Sequence, residues 1–213
     1  MKSNLEDNRI EVGIDEAGRG CLFGRVYVAA VILPPNFYEF LDEKLQLRDS
    51  KKISKKKRDK LRKIIEEHAI DYSVAYSEHY EIDEDNILAC TLDTMHKAID
   101  KLSTVPEFIL VDGNRFNTYT NPKTNKQIQH RCVIGGDDTF ASIAAASILA
   151  KTYRDEYIEN LCRDRIELCR YNIHNNMGYG AAAHIAGIKK YGVVYGHRMS
   201  FGICKRTSLF KSI

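Results

Sequence analysis

Residues 10–20 read Ile-Glu-Val-Gly-Ile-Asp15-Glu16-Ala-Gly18-Arg19-Gly20. The stretch from Ile10 to Ile14 is short, apolar and rich in β-branched residues, so it predicts a buried strand. It runs into two adjacent carboxylates, then a glycine-arginine-glycine turn, then a second apolar run from Val26 to Leu33. Carboxylates at the edge of a buried strand are unstable unless a metal ion, a basic partner or a raised pKa on one member neutralises them. Gly18 and Gly20 let backbone N–H groups approach a ligand closely, with Arg19 held between them. Together these features suggest a metal site beside a phosphodiester.

The acid motif recurs. Phe108 to Val111 is a brief apolar strand followed by Asp112-Gly113-Asn114-Arg115, and Arg131 to Ile134 is another followed by Gly135-Gly136-Asp137-Asp138. One acid at a strand end is usually a cap or turn residue; three such ends, each beside glycine, ask for a shared cause. If the strands are neighbours, their acids converge and require divalent cations to stay ionised. All-oxygen ligands with no adjacent His or Cys favour Mg²⁺ or Mn²⁺ over zinc.

Around these strands the pattern predicts an α/β sheet. Val26–Leu33 is a strand stopped by Pro34-Pro35, and Phe37–Leu41 a short helix. Ser54 caps a helix reaching about His68. Tyr72, Val74 and Tyr76 alternate in a third strand, and Ile82–Leu102 has the apolar spacing of one long amphipathic helix. The polar stretch 116–129 predicts an exposed loop or small hairpin. The run Ile-Ala-Ala-Ala-Ser-Ile-Leu-Ala-Lys at 143–151 opens a helix expected to reach about Arg170, its alanines suited to lying close on a sheet. A Gly-Tyr179-Gly turn, a helix near 181–190 and His197-Arg198 follow, with His174, His184, His197 and Arg198 expected to pack or cap.

A net charge of +3 is too mild to identify a nucleic-acid partner. Between Lys51 and Lys63, however, nine of thirteen positions are Lys or Arg, which can follow a phosphate backbone or simply be a solvated helix face. Lys51 and Lys52 are the candidates for phosphate contact. The six cysteines form no CxxC pair or zinc spacing and predict reduced thiols. With no apolar leader and no run of membrane-span length, the expectation is a soluble, cytoplasmic protein.

Asp-Glu-Ala-Gly-Arg-Gly at 15–20, Asp49-Ser50-Lys51-Lys52, Val111-Asp112-Gly113, and Gly136-Asp137 before Ile-Ala-Ala-Ala-Ser-Ile-Leu-Ala-Lys closely resemble, in order, the ribonuclease HII family. The resemblance spans about residues 10–202. It implies a ribonuclease-H-like mixed five-stranded sheet flanked by helices, with a core over about 10–165 and a C-terminal helical segment over about 166–213. It implies endonucleolytic hydrolysis of the RNA strand of RNA–DNA hybrids and incision 5′ to a ribonucleotide embedded in duplex DNA. Asp15, Glu16, Asp112 and Asp137 match the family's catalytic acids, ligands for two divalent ions, Mg²⁺ or Mn²⁺. Gly18-Arg19-Gly20 matches the turn that recognises the 2′-hydroxyl at the junction. Tyr179 matches the tyrosine that stacks on the sugar of the following deoxynucleotide.

Departures from the family pattern include Cys21 and Arg25 where proline is usual, expected to alter turn stiffness and local charge, and Gly136 and Met177 where lysine is usual, expected to weaken or relocate phosphate contacts. The expected partner is nucleic acid, the expected state a monomer, and no protein partner is predicted. A dinucleotide-binding reading of Gly18-x-Gly20-x-x-x-Gly24 conflicts with the acids, which would repel a pyrophosphate, and with the strand that follows. A catalytically inert hybrid binder gains nothing from clustered carboxylates. Divalent-metal-dependent cleavage separates it from an enzyme.

Overall fold

The computed structural model describes residues 2, 5, 9–42, 45–47, 50 and 53–209. At its centre β1 (Glu11–Ala17) lies between β2 (Val26–Ile32) and β4 (Phe108–Asp112). The sheet continues outward through β3 (Asp71–Ser77) on one side and through β6 (Lys126–Val133) and β5 (Tyr119–Asn121) on the other, in the order β3-β2-β1-β4-β6-β5. The first three strands form an antiparallel meander, whereas β4 and β6 run parallel to β1. The sheet is therefore mixed and has six strands rather than the five expected. The additional one is the short β5, paired antiparallel with β6 in the hairpin that the polar 116–129 stretch allowed.

Alternation along the strands divides the core in two, as a period of two requires. Val12 and Ile14 of β1, Val28 and Ala30 of β2, and Ile109 and Val111 of β4 face α3 (Ile87–Asp100), whose Leu92, Met95 and Ile99 complete that layer. Ala17, Ala29 and Val31 face the opposite layer, built from α1 (Lys55–His68) and α4 (Ala141–Asp164). The first ten residues of α4 are all buried, and the alanines among them bring its backbone down onto the sheet. Contact is closest at Gly13, where a Cβ would stand 2.2 Å from the carbonyl carbon of Ser142. Any side chain there would push helix and strand apart.

Two helices end earlier than the apolar pattern predicts. The 82–102 segment is broken into α2 (His79–Asp85) and α3 at Asn86, which takes φ 76° and caps α3 by accepting the Leu88 and Ala89 N–H groups (3.0 and 3.1 Å). Similarly, α4 stops at Asp164, and residues 166–171 form a 3₁₀ segment. The short α5 (Ile173–Asn176), α6 (Ala182–Tyr191) and α7 (Gly202–Leu209) then pack around Phe23, Ile158, Leu168, Tyr171 and Ile188. This third cluster ties the tail to the turn after β1. All six cysteines are free thiols, and among the described residues no helix is long and apolar enough to cross a membrane.

Candidate active site

The three strands that carry acids at their ends, β1, β4 and β6, are consecutive in the sheet and parallel, so their C-terminal ends lie together. Ile14 pairs with Val111, which sets Asp15 beside Asp112 one step along. Asp112 pairs with Val133, beyond which the chain turns at Gly135 and Gly136. The Gly136 N–H donates to Asp112 Oδ1 at 2.8 Å, and the next residue is the buried Asp137, in a 3₁₀ turn leading to α4. Adjacency of the acids thus follows from strand order.

Asp15 is almost fully buried, on the face of β1 toward α4. Burial raises its carboxyl well above the usual carboxylate range, and the negative charges of Glu16 and Asp112 raise it further. A hydrogen bond from Ser147 of α4 and another from the Glu16 N–H (2.7 Å) oppose the rise without cancelling it. Ser147 Oγ also lies 3.0 Å from the buried Ser50 Oγ, which ties Ser50 to α4. Asp49, Lys51 and Lys52 themselves lie outside the described residues.

Glu16, the next residue in the strand, projects to the opposite face. There it pairs with Arg19 (3.2 Å) and lines a cleft of about 290 Å³ with Arg19, Leu92, Met95, Asp112 and Arg115. Among the described residues no three His, Cys, Asp or Glu side chains stand together in an arrangement that could by itself hold a metal ion.

The Gly18–Gly20 turn runs directly into β2, unlike a dinucleotide-binding loop, which feeds a helix. Gly18, at φ 96°, has the Arg154 guanidinium pressed against it, with Nε 2.2 Å from where a Cβ would sit. Tyr179 joins the same region: Cys21 and Tyr179 form an antiparallel bridge, and the Leu22 N–H donates to Gly178 O at 2.8 Å. The Tyr179 ring is partly exposed, with Lys151 Nζ 5.5 Å from its centroid. The sequence thus brings its turn and its tyrosine together across some 160 residues.

At two departure positions the structure supplies roles. Arg25 does more than alter local charge: it pairs with Glu78 at 2.6 Å and sits over the Tyr76 and Tyr157 rings. Met177, at φ 51°, packs into the C-terminal apolar cluster while its carbonyl accepts from Arg154 Nη1 at 2.8 Å.

The ribonuclease HII family model matches residues 12–204. The chain belongs to the ribonuclease HII family. Among relatives carrying that name, the protein of Christiangramia forsetii is 48% identical over 93% of each chain, and that of Bacteroides thetaiotaomicron 46% identical over 93% of this chain and 92% of its own. Among solved structures, ribonuclease H2 of Pyrococcus horikoshii OT3 superposes with a TM-score of 0.75 at 22% identity, covering 95% of this chain and 99% of that one. Bst-RNase HIII, solved in complex with Mn²⁺, gives 0.68 at 18% identity over 96% of this chain and 70% of that one. The fold is ribonuclease-H-like. As a ribonuclease HII, the chain is a nuclease of a family that acts on RNA–DNA hybrids and depends on divalent metal.

The residues of this ribonuclease HII suit such a metal. Its acids offer only oxygen donors, and excess negative charge around Asp15 is what a divalent cation relieves. Two contributors escaped the sequence reading. Ser147 is one of two hydroxyls, with Ser142, in the buried alanine-rich start of α4, and its partners are Asp15 and Ser50. Arg154, seven residues on along α4, is fully buried and donates to three backbone carbonyls, those of Phe23, Arg25 and Met177. A cation deep in a helix can be seen in the sequence; its partners, more than 20 residues away on each side, cannot.

Proposed function

We propose that this enzyme hydrolyses the RNA strand of RNA–DNA hybrids and nicks duplex DNA 5′ to embedded ribonucleotides, leaving 3′-hydroxyl and 5′-phosphate ends. Asp15, Glu16, Asp112 and Asp137 hold two divalent ions, Mg²⁺ or Mn²⁺. When bound, the ions supply Lewis-acid activation of water and stabilisation of the departing 3′-oxygen. The observation that carries this reading is Asp15: a buried carboxyl held against two other acids at the shared end of parallel strands. Such an arrangement is electrostatically unfavourable until cations arrive. Mg²⁺ commonly uses one or two carboxylates and completes its shell with substrate phosphate, which accords with acids that do not stand in an arrangement able by itself to hold a metal ion.

In this reading the protein's own side chains mainly position the substrate. Ser147 keeps the Asp15 carboxylate oriented, and Arg19 reaches the scissile phosphate from beside Glu16. Backbone groups of Gly18–Gly20 recognise the 2′-hydroxyl. The exposed Tyr179 face accepts a deoxyribose where a 2′-hydroxyl would crowd it. Lys51 and Lys52 contact backbone phosphate, and the enzyme acts as a cytoplasmic monomer.

The test is cleavage of a DNA duplex with one ribonucleotide beside a full RNA–DNA hybrid, each with Mg²⁺, Mn²⁺ or EDTA. A metal-dependent nick 5′ to the ribonucleotide, absent with Asp112→Asn, is the expected result. Cleavage of long hybrid alone would remove the junction roles of Gly18–Gly20 and Tyr179. Metal-independent cleavage would remove the two-ion assignment.

A further inference from the structure

The hydrogen bonds of the His197 and Arg198 side chains go to none of the four acids, yet they reach both elements expected to meet substrate. Residues 196–198 run antiparallel to 22–24: the Gly24 N–H donates to Gly196 O (2.8 Å), Phe23 bridges His197, and the Arg198 N–H donates to Leu22 O (2.9 Å). The fully buried Arg198 guanidinium donates Nε–H to Gly24 O and Nη1–H to Arg19 O, each at 2.9 Å. It therefore grips the backbone of the glycine-arginine-glycine turn from beneath.

His197 reaches the other element. Its Nε2 lies 3.1 Å from His184 Nε2, and His184 Nδ1 lies 2.9 Å from Tyr179 O. For neutral rings the hydrogens follow from one constraint. Tyr179 O can only accept, so His184 must carry its hydrogen on Nδ1 and leave Nε2 bare. His197 must then donate from Nε2, and of the two Val194 backbone groups that stand 3.0 Å from its Nδ1, the N–H and the carbonyl oxygen, the bare nitrogen accepts from the N–H. Both rings are buried, and burial holds both below the usual histidine range, so the neutral pair is the resting state. A directed chain runs from Val194 through two imidazoles to the Tyr179 carbonyl.

We propose that His197 and Arg198 act as positioning residues that fix the Gly18–Gly20 turn and the Tyr179 segment relative to each other, and thereby set how sharply the enzyme discriminates a ribonucleotide–deoxyribonucleotide junction. The inference rests on the junction reading given above. A strap of this kind affects substrate placement more than the chemistry at Asp15 and Asp112, because neither side chain touches the acids.

The experiment compares His197→Phe, which keeps the ring and loses the donor, with His197→Gln, which keeps a terminal N–H. Each is assayed on a single-ribonucleotide duplex and on long hybrid, with Tyr179→Ala as reference. Expected for His197→Phe is a loss of about tenfold in kcat/KM on the junction substrate, carried by KM, with hybrid turnover within about twofold of wild type and substantial recovery in His197→Gln. Equal losses on both substrates, or no loss where Tyr179→Ala shows one, would overturn the strap. No change of preference in either His197→Phe or Tyr179→Ala would overturn the junction reading and the strap with it. Nitrogen NMR of the wild-type imidazoles provides an independent check that needs no variant. The hydrogen should reside on Nδ1 of His184 and Nε2 of His197, and the opposite tautomers would overturn the chain.

Discussion

Two regions of this protein bury ionisable side chains, with opposite consequences. At the shared end of β1, β4 and β6, like charges converge, and Asp15 is pushed up by burial, by Glu16 and by Asp112. In the C-terminal cluster burial pulls His184 and His197 down and lowers Arg198 to about 10, but there each group finds backbone partners. The first region retains electrostatic tension that an incoming cation can release. The second has resolved nearly all of its own, although Arg198 Nη2 is left without a protein partner. Unresolved charge marks where a ligand belongs; resolved charge marks what holds the frame.

That contrast is most severely tested at the acids. Asp15→Asn or Asp112→Asn should reduce metal-dependent cleavage at least about 10³-fold while the melting temperature stays level or rises, since like-charge repulsion is removed. Mg²⁺ should raise the melting temperature of wild type and not of Asp112→Asn. A large loss of stability in either variant would show that the acids stabilise the frame after all.

In the other region the outcome should reverse. Arg198→Ala strips donors from the buried Gly24 carbonyl and the part-buried Arg19 carbonyl and should lower unfolding stability by roughly 2–4 kcal/mol, read by denaturant melts. The pH dependence of stability sharpens the same point. His197 sits at about 4 in the folded chain against 6.5 ordinarily, so between those values the unfolded chain binds more protons. Stability should climb as pH rises from about 4 to 6.5, by on the order of 3 kcal/mol, and His197→Phe should flatten that climb. The smallest effect is expected at Ser147→Ala, which removes one hydrogen bond to Asp15. About 1 kcal/mol, read as weaker half-saturation by Mg²⁺ at unchanged fold, separates an orienting role from a purely packing one.

The sheet was legible because polarity changes abruptly near the C-terminal ends of its strands, at Ile14 to Asp15, at Val111 to Asp112, and from Val133 through the glycines to Asp137. The division into α2 and α3 was not, since apolar spacing continues smoothly through Asn86 and only its positive φ breaks the helix. The short β5 was hidden for a related reason: Tyr119–Asn121 is too brief and polar to register as a strand without β6 beside it. Within the site, the acids announced themselves by position, whereas Ser147 and Arg154 act through partners far along the chain, and the His184–His197 pair meets through a local fold of the tail that no helical or strand period signals. A lone polar residue in an apolar run signals that a partner exists but does not identify it.

The meeting of Gly13 with the backbone of Ser142 has a mechanical consequence. Side-chain packing can yield by changing rotamers, but main chain against main chain is a hard stop. Ser147 lies five residues beyond this stop on α4, and Asp15 two residues beyond it on β1. Their alignment is thus referenced to a rigid datum, with no rotamer slack between helix and strand. Any adjustment the site makes on receiving substrate falls to the turns at 112–115 and 135–138, while the Asp15–Ser147 wall and the strapped 18–20 turn stay fixed.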